Sequence, residues 1–420
     1  MSSLPSSEVV EDLFRRESAK ITATVIRIVR DIDRAEEIVQ ETLLAALERW
    51  PFSGIPDNPA AWLMVTAKNR ALDVVRRDRS FDRKIAPVLR ADDRDEAPAD
   101  EPAAVADDLL RLVFTCCHPE LGRESQVALT LKLLGGLSTG EIARAFLAAE
   151  PTIAQRIVRA KRTIAERSIP YEVPGRAQLP ERLPSVLEVI YLVFNEGYAA
   201  REGDRLVRTD LCEEAIRLGT LLAELMPEEP EVLGLCALME LQASRARARV
   251  TADGEMVLIA DQDRGLWDRA RIARGLSHLT RARSLGEAGP YRLQAQIAAC
   301  HAAAPSWEAT DWRLIVALYG RLASLVDSPV IELNRAAAIS MRDGPAAGLL
   351  LLERLGSEPA LRDYHLYFST RADLLRRLGR WSEAVDAYRH ARSLATNQRE
   401  QAFLDKRTEE CLARAKATAS

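Results

Sequence analysis

The stretch LSTGEIARAFLAAEPTIAQRIVRAKRTI, residues 137–164, constrains the fold more than any other part of the chain. Ser138 or Thr139 is placed to cap a short helix carrying Glu141, Ile142 and Ala143. A tight turn around Leu147–Glu150 follows, and Pro151 opens a second helix. Ile153, Ile157 and Ala160 recur at helical spacing and point inward. Thr152, Gln155, Arg156, Arg159, Lys161 and Arg162 occupy its other positions. The small Ala143 lets the two helices approach closely. This is the pattern of a helix-turn-helix, whose second helix enters a duplex major groove and whose basic residues reach phosphates and guanine edges. An ordinary helical hairpin with a basic face remains open on this segment alone.

A second constraint lies upstream. In DIDRAEEIVQETLLAALERW, residues 31–50, Ile32, Ala35, Val39, Leu43 and Ala46 share one helical face, flanked by Ile38 and Leu47. Asp33, Glu37 and Glu41 form an acidic stripe elsewhere, with Gln40 beside it. A solvated face and a docking surface for a basic partner both fit such a stripe. PFSGIPDNPAAW then reads as a loop, with Asn58 capping a helix that begins at Pro59. Trp62, Val65, Leu72 and Val75 are its expected packing residues, and Lys68, Arg70, Arg76, Arg77 and Arg79 give it positive charge. A basic helix beside a loop and an aromatic residue suits backbone contact with nucleic acid and capture of an unstacked base.

The remaining organisation follows from composition. Residues 8–85 read as helices with a basic end. Residues 86–108, rich in Asp, Ala and Pro from Ala91 onward, read as an acidic flexible linker. Residues 109–168 are helical and end in a basic run, and the Pro-punctuated SIPYEVPGRAQLP forms a joint. From 181 to 415 come Ala/Leu/Arg-rich helical segments, with GEMVLI as the best candidate for a lone extended piece. The expected class is all-α. A net charge of −4, from 58 basic and 62 acidic residues, gives no global basic field. No apolar run reaches the roughly 20 residues a membrane helix needs, and the start of the chain lacks a signal-peptide pattern. Six cysteines in 420 residues suit a reducing compartment, so the expected location is cytoplasmic.

Taken together, DRAEEIVQETLLAAL with NPAAWLMVTAKNRALDVVRR, and residues 137–164 after an acidic linker, resemble regions 2 and 4 of the sigma-70 superfamily, specifically extracytoplasmic-function sigma factors. The likeness spans residues 8–168. It implies two small helical domains and a promoter-specificity subunit that binds core RNA polymerase through the β′ clamp and the β flap. Asp33, Glu36, Glu37, Gln40 and Glu41 would dock on the clamp. Lys68, Asn69, Arg70, Asp73, Arg76 and Arg77 would lie near the opened non-template strand of the −10 element, with Trp62 structural. Thr152, Gln155, Arg156, Arg159 and Arg162 would read the −35 element as duplex. The family often carries Gly at the position of Pro151 and Lys or Arg at that of Ala154, so one DNA contact of the pattern is missing here.

Beyond this core, RADLLRRLGRWSEAVDAYRHARSLA, with Ala372, Gly379, Trp381, Ala384, Tyr388 and Ala391, resembles a tetratricopeptide repeat. Residues 328–355 read as a helical pair broken at Asp343-Gly344-Pro345, and no strict repeat register appears, so an irregular α-solenoid is expected over 181–415. The whole chain resembles the sigma-factor group with such an extension, which implies a regulatory role for it and a protein or small-molecule regulator. Tyr191, Asn195, Glu196 and Tyr198 fit helix packing better than a ligand site. Residues 251–269 lack the Asp spacing of a calcium loop and read as an excursion closing the array. The adjacent Cys116, Cys117 and His118 read first as packing residues at the entry of region 4, ahead of a redox thiol or a metal site. No phosphate loop, G-x-S-x-G or H-E-x-x-H motif occurs, so no catalytic residue, metal or cofactor is expected. A helix-turn-helix regulator that never docks on polymerase is the competing reading, and the acidic helix argues against it.

Overall fold

The computed structural model describes residues 6–85, 102–146, 148–175, 177–198, 209–251 and 255–419. Among them every regular element is helical, and the one extended pairing is an isolated antiparallel bridge between Val250 and Met256. The bridge lies where GEMVLI was expected to extend. The chain divides into two compact units, one up to residue 192 and one from residue 193.

The first unit begins with α1 (Ser6–Val29), α2 (Ile32–Ser53) and α3 (Pro59–Ile85), which pack on one another. Asp31 starts α2 by accepting the Arg34 backbone N–H at 2.9 Å, and Gly54 ends it in a left-handed conformation at φ 82°. Ala35, Ile38, Val39, Thr42, Ala45, Ala46 and Trp50 are the buried face of α2. Leu47, expected at the margin of that face, is exposed. Asn58 caps α3 as its position foretold, accepting from the Ala61 N–H at 3.0 Å. On α3, Leu63, Ala67 and Ala71 are fully buried, whereas Val65, expected to pack, is half exposed. The helix turns its small residues inward, because Ala at 67 and 71 permits the close approach of α1.

The second half of this unit holds α4 (Pro102–Cys116), α5 (Arg123–Leu133), α6 (Thr139–Ala145), α7 (Glu150–Glu166) and the start of α8 (Leu179–Tyr198). Helix α4 begins inside the stretch read as linker, which shortens that stretch to residues 86–101, outside the described residues. Pro102 sits in the first turn, and the acidic residues that suggested a linker serve as ion-pair partners: Asp107 and Asp108 both pair with Arg111. Helix α4 packs on α1, and α5 and α6 pack on α7.

The second unit holds the end of α8 and then α9 (Thr209–Leu225), α10 (Pro230–Ala243), α11 (Arg269–Arg283), α12 (Pro290–Ala303), α13 (Trp312–Leu325), α14 (Pro329–Arg342), α15 (Pro345–Arg354), α16 (His365–Arg377), α17 (Trp381–Leu394) and α18 (Gln398–Ala419). From α9 onward, sequential helices pack on each other, as in a solenoid. Helices α16 and α17 bury Ala372, Ala384, Tyr388 and Ala391 around the turn at Gly379, whose φ is 73°. Trp381 packs against that cluster. Asp343-Gly344-Pro345 separates α14 from α15 as expected. Residues 251–269 stand within the array, between α10 and α11, rather than closing it. Tyr198 stacks on Phe194 at 5.5 Å and carries the Arg249 guanidinium 3.9 Å over its ring, which fits the packing reading.

Helix α10 is buried on nearly every side, from Val232 to Leu241. It touches α9, α11 and α12. Gly234 faces the Arg292 backbone of α12 so closely that an added Cβ would stand 2.7 Å from the Arg292 nitrogen. Gly320, by contrast, has open space where its Cβ would be. Gly234→Ala is therefore expected to destabilise the protein by roughly 1–3 kcal/mol through overpacking against backbone. Gly320→Ala is expected to stabilise it by about 0.5–1 kcal/mol through helix propensity. Urea unfolding of the two variants checks both signs.

Candidate polymerase and promoter interface

Helix α7 presents its residues as the sequence pattern arranged them. Ile153, Ile157 and Ala160 are buried, and Thr152, Gln155, Arg159 and Arg162 are exposed on the outer side. Helix α6 is held ahead of it by a reciprocal cap. The Ser138 hydroxyl accepts the Glu141 N–H at 3.2 Å, while the Glu141 carboxylate accepts the Ser138 N–H at 2.8 Å. Ser138 is thus the cap, and Thr139 is the first helical residue. Arg156 departs from the outer face: it is half-buried, and its guanidinium pairs with Glu124 at 2.9 Å. Arg162 pairs with Glu166 one turn on, at 2.6 Å. Val158 is also exposed on this helix, an apolar position among the polar ones.

On α2, Glu37 and Gln40 are exposed, and Glu41 is exposed with its carboxylate on Arg70 of α3. One residue expected at the polymerase and one expected at the −10 strand therefore neutralise each other here. Of the other α3 candidates, Asn69, Arg76 and Arg77 are exposed and Lys68 is half-buried. Asp73 lies 3.6 Å from Arg76, within its own helix. Trp62 is half-buried and meets the buried Trp50 edge to face at 5.5 Å, a packing role. Helix α2 runs through Pro51 to Ser53, so the loop expected from Pro51 begins only at Gly54; the last turn of α2 exposes Phe52 at 93%, and the loop exposes Ile55 less fully.

The remaining two docking candidates, Asp33 and Glu36, lead to Lys161, which the sequence left among the outward basic positions of α7. Lys161 of α7 donates to Asp33 at 2.6 Å and also to Glu36, both on α2. Its side chain is 15% exposed and that of Glu36 17%, whereas Asp33 is largely open. Burial works to lower the Lys161 pKa, but the two carboxylates outweigh it and hold the ammonium above its ordinary value. Two further ties join the α1 and α4 sides. Arg27 donates to Asp108 at 2.8 Å. The Tyr171 hydroxyl lies 3.0 Å from the carbonyls of both Ala23 and Asp108. Burial raises the Asp108 pKa, opposed by Arg27, and burial likewise raises that of Tyr171. A cavity of about 400 Å³ lies along this seam, lined by Arg27, Arg30, Arg111, Tyr171 and several isoleucines.

Cys116 and Cys117 are both buried, at the junction of α4, α5 and the start of α8. The Cys117 sulfur sits 3.5 Å from the Thr130 hydroxyl. The Gln126 amide donates to the His118 carbonyl at 2.8 Å, and Arg182 donates to that of Phe114 at 2.9 Å. Burial pushes the Cys117 thiol up to about 12 and Cys116 well above its ordinary value. Burial, helped by Arg182, lowers the His118 pKa. Among the described residues no group of three His, Cys, Asp or Glu is arranged to hold a metal. No helix among them is long and apolar enough to cross a membrane.

The geometry can be set beside known proteins. Residues 13–81 match the sigma-70 region 2 family, residues 111–164 match sigma-70 region 4, and residues 182–283 match a family of unknown function, DUF6596. The chain is 46% identical over 385 residues to an uncharacterized protein of Rhizobium meliloti (strain 1021), covering 90% of each chain. It is 29% identical over 153 residues to the ECF RNA polymerase sigma factor SigL of Mycobacterium tuberculosis, covering 36% of this chain and 84% of that protein.

The buried thiols carry a prediction of their own. At pH 8 iodoacetamide is expected to alkylate Cys116 and Cys117 only after denaturation, which peptide mass mapping resolves. The unfolded thiols ionise near 9, and folded Cys117 near 12. The unfolded chain thus releases protons that the folded chain keeps. The stability contributed by the neutral thiol is present below about 9 and is lost as pH rises toward 12. The urea midpoint should fall across this window, and less steeply in a Cys116→Ala/Cys117→Ala variant.

Proposed function

As a member of the sigma-70 family of the extracytoplasmic-function type with a helical C-terminal extension, the chain is an RNA polymerase sigma factor, and we propose how its parts divide that work. Asp33, Glu36, Glu37, Gln40 and Glu41 of α2 dock on a basic surface of core polymerase, the β′ clamp. The loop before α3, with Lys68, Asn69, Arg70, Asp73, Arg76 and Arg77, engages the opened non-template strand of the −10 element. Flipping a base out of the stack there costs a few kcal/mol, which the exposed loop and basic helix must offset. Helix α7 reads the −35 element as duplex, and the surrounding α4–α7 domain meets the β flap. The second unit regulates these activities through a protein or small-molecule partner. The protein acts in the cytoplasm and itself carries out no covalent chemistry.

One observation carries the reading. A single compact unit contains both an acidic helix and a helix-turn-helix with a polar outer face over Ile153, Ile157 and Ala160. A duplex-binding regulator needs only the second of these. The half-buried Arg156–Glu124 pair divides labour on α7. Gln155, Arg159 and Arg162 are the outward readers, and Arg156 orients the helix or turns to phosphate when Glu124 releases it.

Reconstitution with core polymerase tests this. The full chain should form holoenzyme and transcribe from its own promoter, whereas Glu37→Arg should weaken holoenzyme formation. Arg159→Ala should weaken −35 duplex binding by about 1–3 kcal/mol if it meets a base edge. Arg156→Ala should also weaken it, with less change in sequence preference. Failure to form holoenzyme would leave only the duplex-binding reading.

A further inference from the structure

Three of the chain's six tryptophans gather in the second unit around Arg264 and His301. Trp307 and Trp312 meet edge to face at 4.6 Å, and the His301 ring stacks on Trp307 at 6.0 Å and meets Trp312 at 5.4 Å. Arg264 joins this group to Trp267. Its guanidinium lies 4.5 Å over the Trp267 ring, and its Nη1 donates to the His301 carbonyl at 2.6 Å and the Ala304 carbonyl at 2.8 Å. A cation there suits the C-terminal end of α12. Arg245, just after α10, stands 5.8 Å from the same Trp267 ring. Trp267 is a buried floor at 2% exposure, whereas Arg245, Arg264, His301, Trp307 and Trp312 are half-buried.

Capping α12 occupies only one nitrogen of Arg264. Arg264 Nη2, Trp267 Nε1 and His301 Nδ1 are shut off from water and have no partner in the protein. The first two can only donate, and a buried donor without an acceptor is costly, most of all on a charged group. Neither Arg245 nor Arg264 forms an ion pair among the described residues. The nearby carboxylates are engaged or distant: Asp263 accepts the Gly265 N–H at 2.8 Å, Asp268 accepts that of Arg271 at 3.0 Å, and Glu308 is exposed. Burial lowers the Arg264 pKa, and the charges of Arg245 and Arg269 lower it further. Burial, with Arg245 and Arg264, lowers that of His301 to about 4, so its imidazole is neutral at pH 7. Tryptophans alone would suit a quaternary ammonium, but guanidinium groups already lie against Trp267 and repel a further cation. What the cluster lacks is an acceptor with negative charge.

We propose that this cluster is a binding site for a small organic oxyanion carried on a planar ring. Arg245 and Arg264 hold the anionic oxygens, the Trp267 Nε1–H donates to one of them, and Trp307 and Trp312 pack the ring. The guanidinium fork suits both phosphate and carboxylate. The proposal rests on the reading that the second unit answers to a partner, and it makes that partner a small molecule. The ligand would touch the end of α10, the turn at Arg264–Leu266 and the segment joining α12 to α13, and so tie four parts of the array together.

The test titrates the full chain with phenyl phosphate and with benzoate, following tryptophan fluorescence. A saturable response at millimolar concentration or below is expected from at least one, and the tighter of the two identifies the oxyanion. Arg245→Gln should weaken binding about tenfold or more, as the loss of a charge-assisted contact. Trp267→Phe keeps a ring, removes the indole donor and should weaken binding severalfold. Unchanged circular dichroism and melting without ligand show that these variants are folded. Phenyltrimethylammonium should not bind, and inorganic phosphate should bind more weakly than phenyl phosphate. No saturable response to either aryl anion overturns the site, as do undiminished binding by both variants and tighter binding of phenyltrimethylammonium. Transcription by reconstituted holoenzyme, with and without the bound probe, separates the site from its regulatory role. A probe that binds without changing transcription keeps the site and removes that role, whereas absence of binding removes the site and leaves regulation to a protein partner.

Discussion

The first unit depends on one costly arrangement, the burial of the Asp108 carboxylate against α1. A charge taken from water must be compensated closely or its desolvation penalty goes unpaid. Arg27 supplies the compensation from α1 and Arg111 from the next turn of α4. The backbone carbonyl of the same residue is further bonded by Tyr171. Three segments far apart in sequence are thereby brought to one residue. The apolar packing of α4 on α1 is nonspecific in direction, and the buried ion pair gives it a register. Helices α5 to α7 follow from α4, so the placing of α7 beside α2 traces back to this point.

Local features of the sequence translated directly into structure. Asn58 and Ser138 cap the helices they precede, Pro151 lies in the first turn of α7, and the apolar triad of α7 is buried as its spacing required. Such features depend on residues within one or two turns of each other, and short-range chemistry is readable from a string. The acidic linker was misjudged at its end for a related reason. Asp108 looks like solvated charge until Arg27, some eighty positions earlier, is known to face it. The Lys161 contact spans 128 positions. Nothing local distinguishes Lys161 from Arg159 or Arg162, and only the angular position of each on α7 sends one to a carboxylate pair and the others to solvent.

Cys116, Cys117 and His118 illustrate the opposite case. Their rarity suggested chemistry, while their surroundings make them inert. Both thiols are shielded and protonated, the imidazole is held toward its neutral form, and nearby donors go to the backbone carbonyls of the stretch. The stretch works as a junction, where the end of α4 is tied to α5 by Gln126 and to the start of α8 by Arg182. The junction lies within the stretch that matches sigma-70 region 4, ahead of α6 and α7.

The all-round burial of α10 bears on how the second unit evolves and what it can bind. A helix with no face to solvent has no face to offer a ligand, and the exposed surface of this unit lies on the flanking helices and their loops. It also has no neutral side on which substitutions accumulate freely, because each change is felt by α9, α11 or α12. Related chains should therefore diverge fastest at the outer helices, around a central rod that stays close to its present composition. Surface chemistry can then be rewritten at the periphery while the array keeps its geometry.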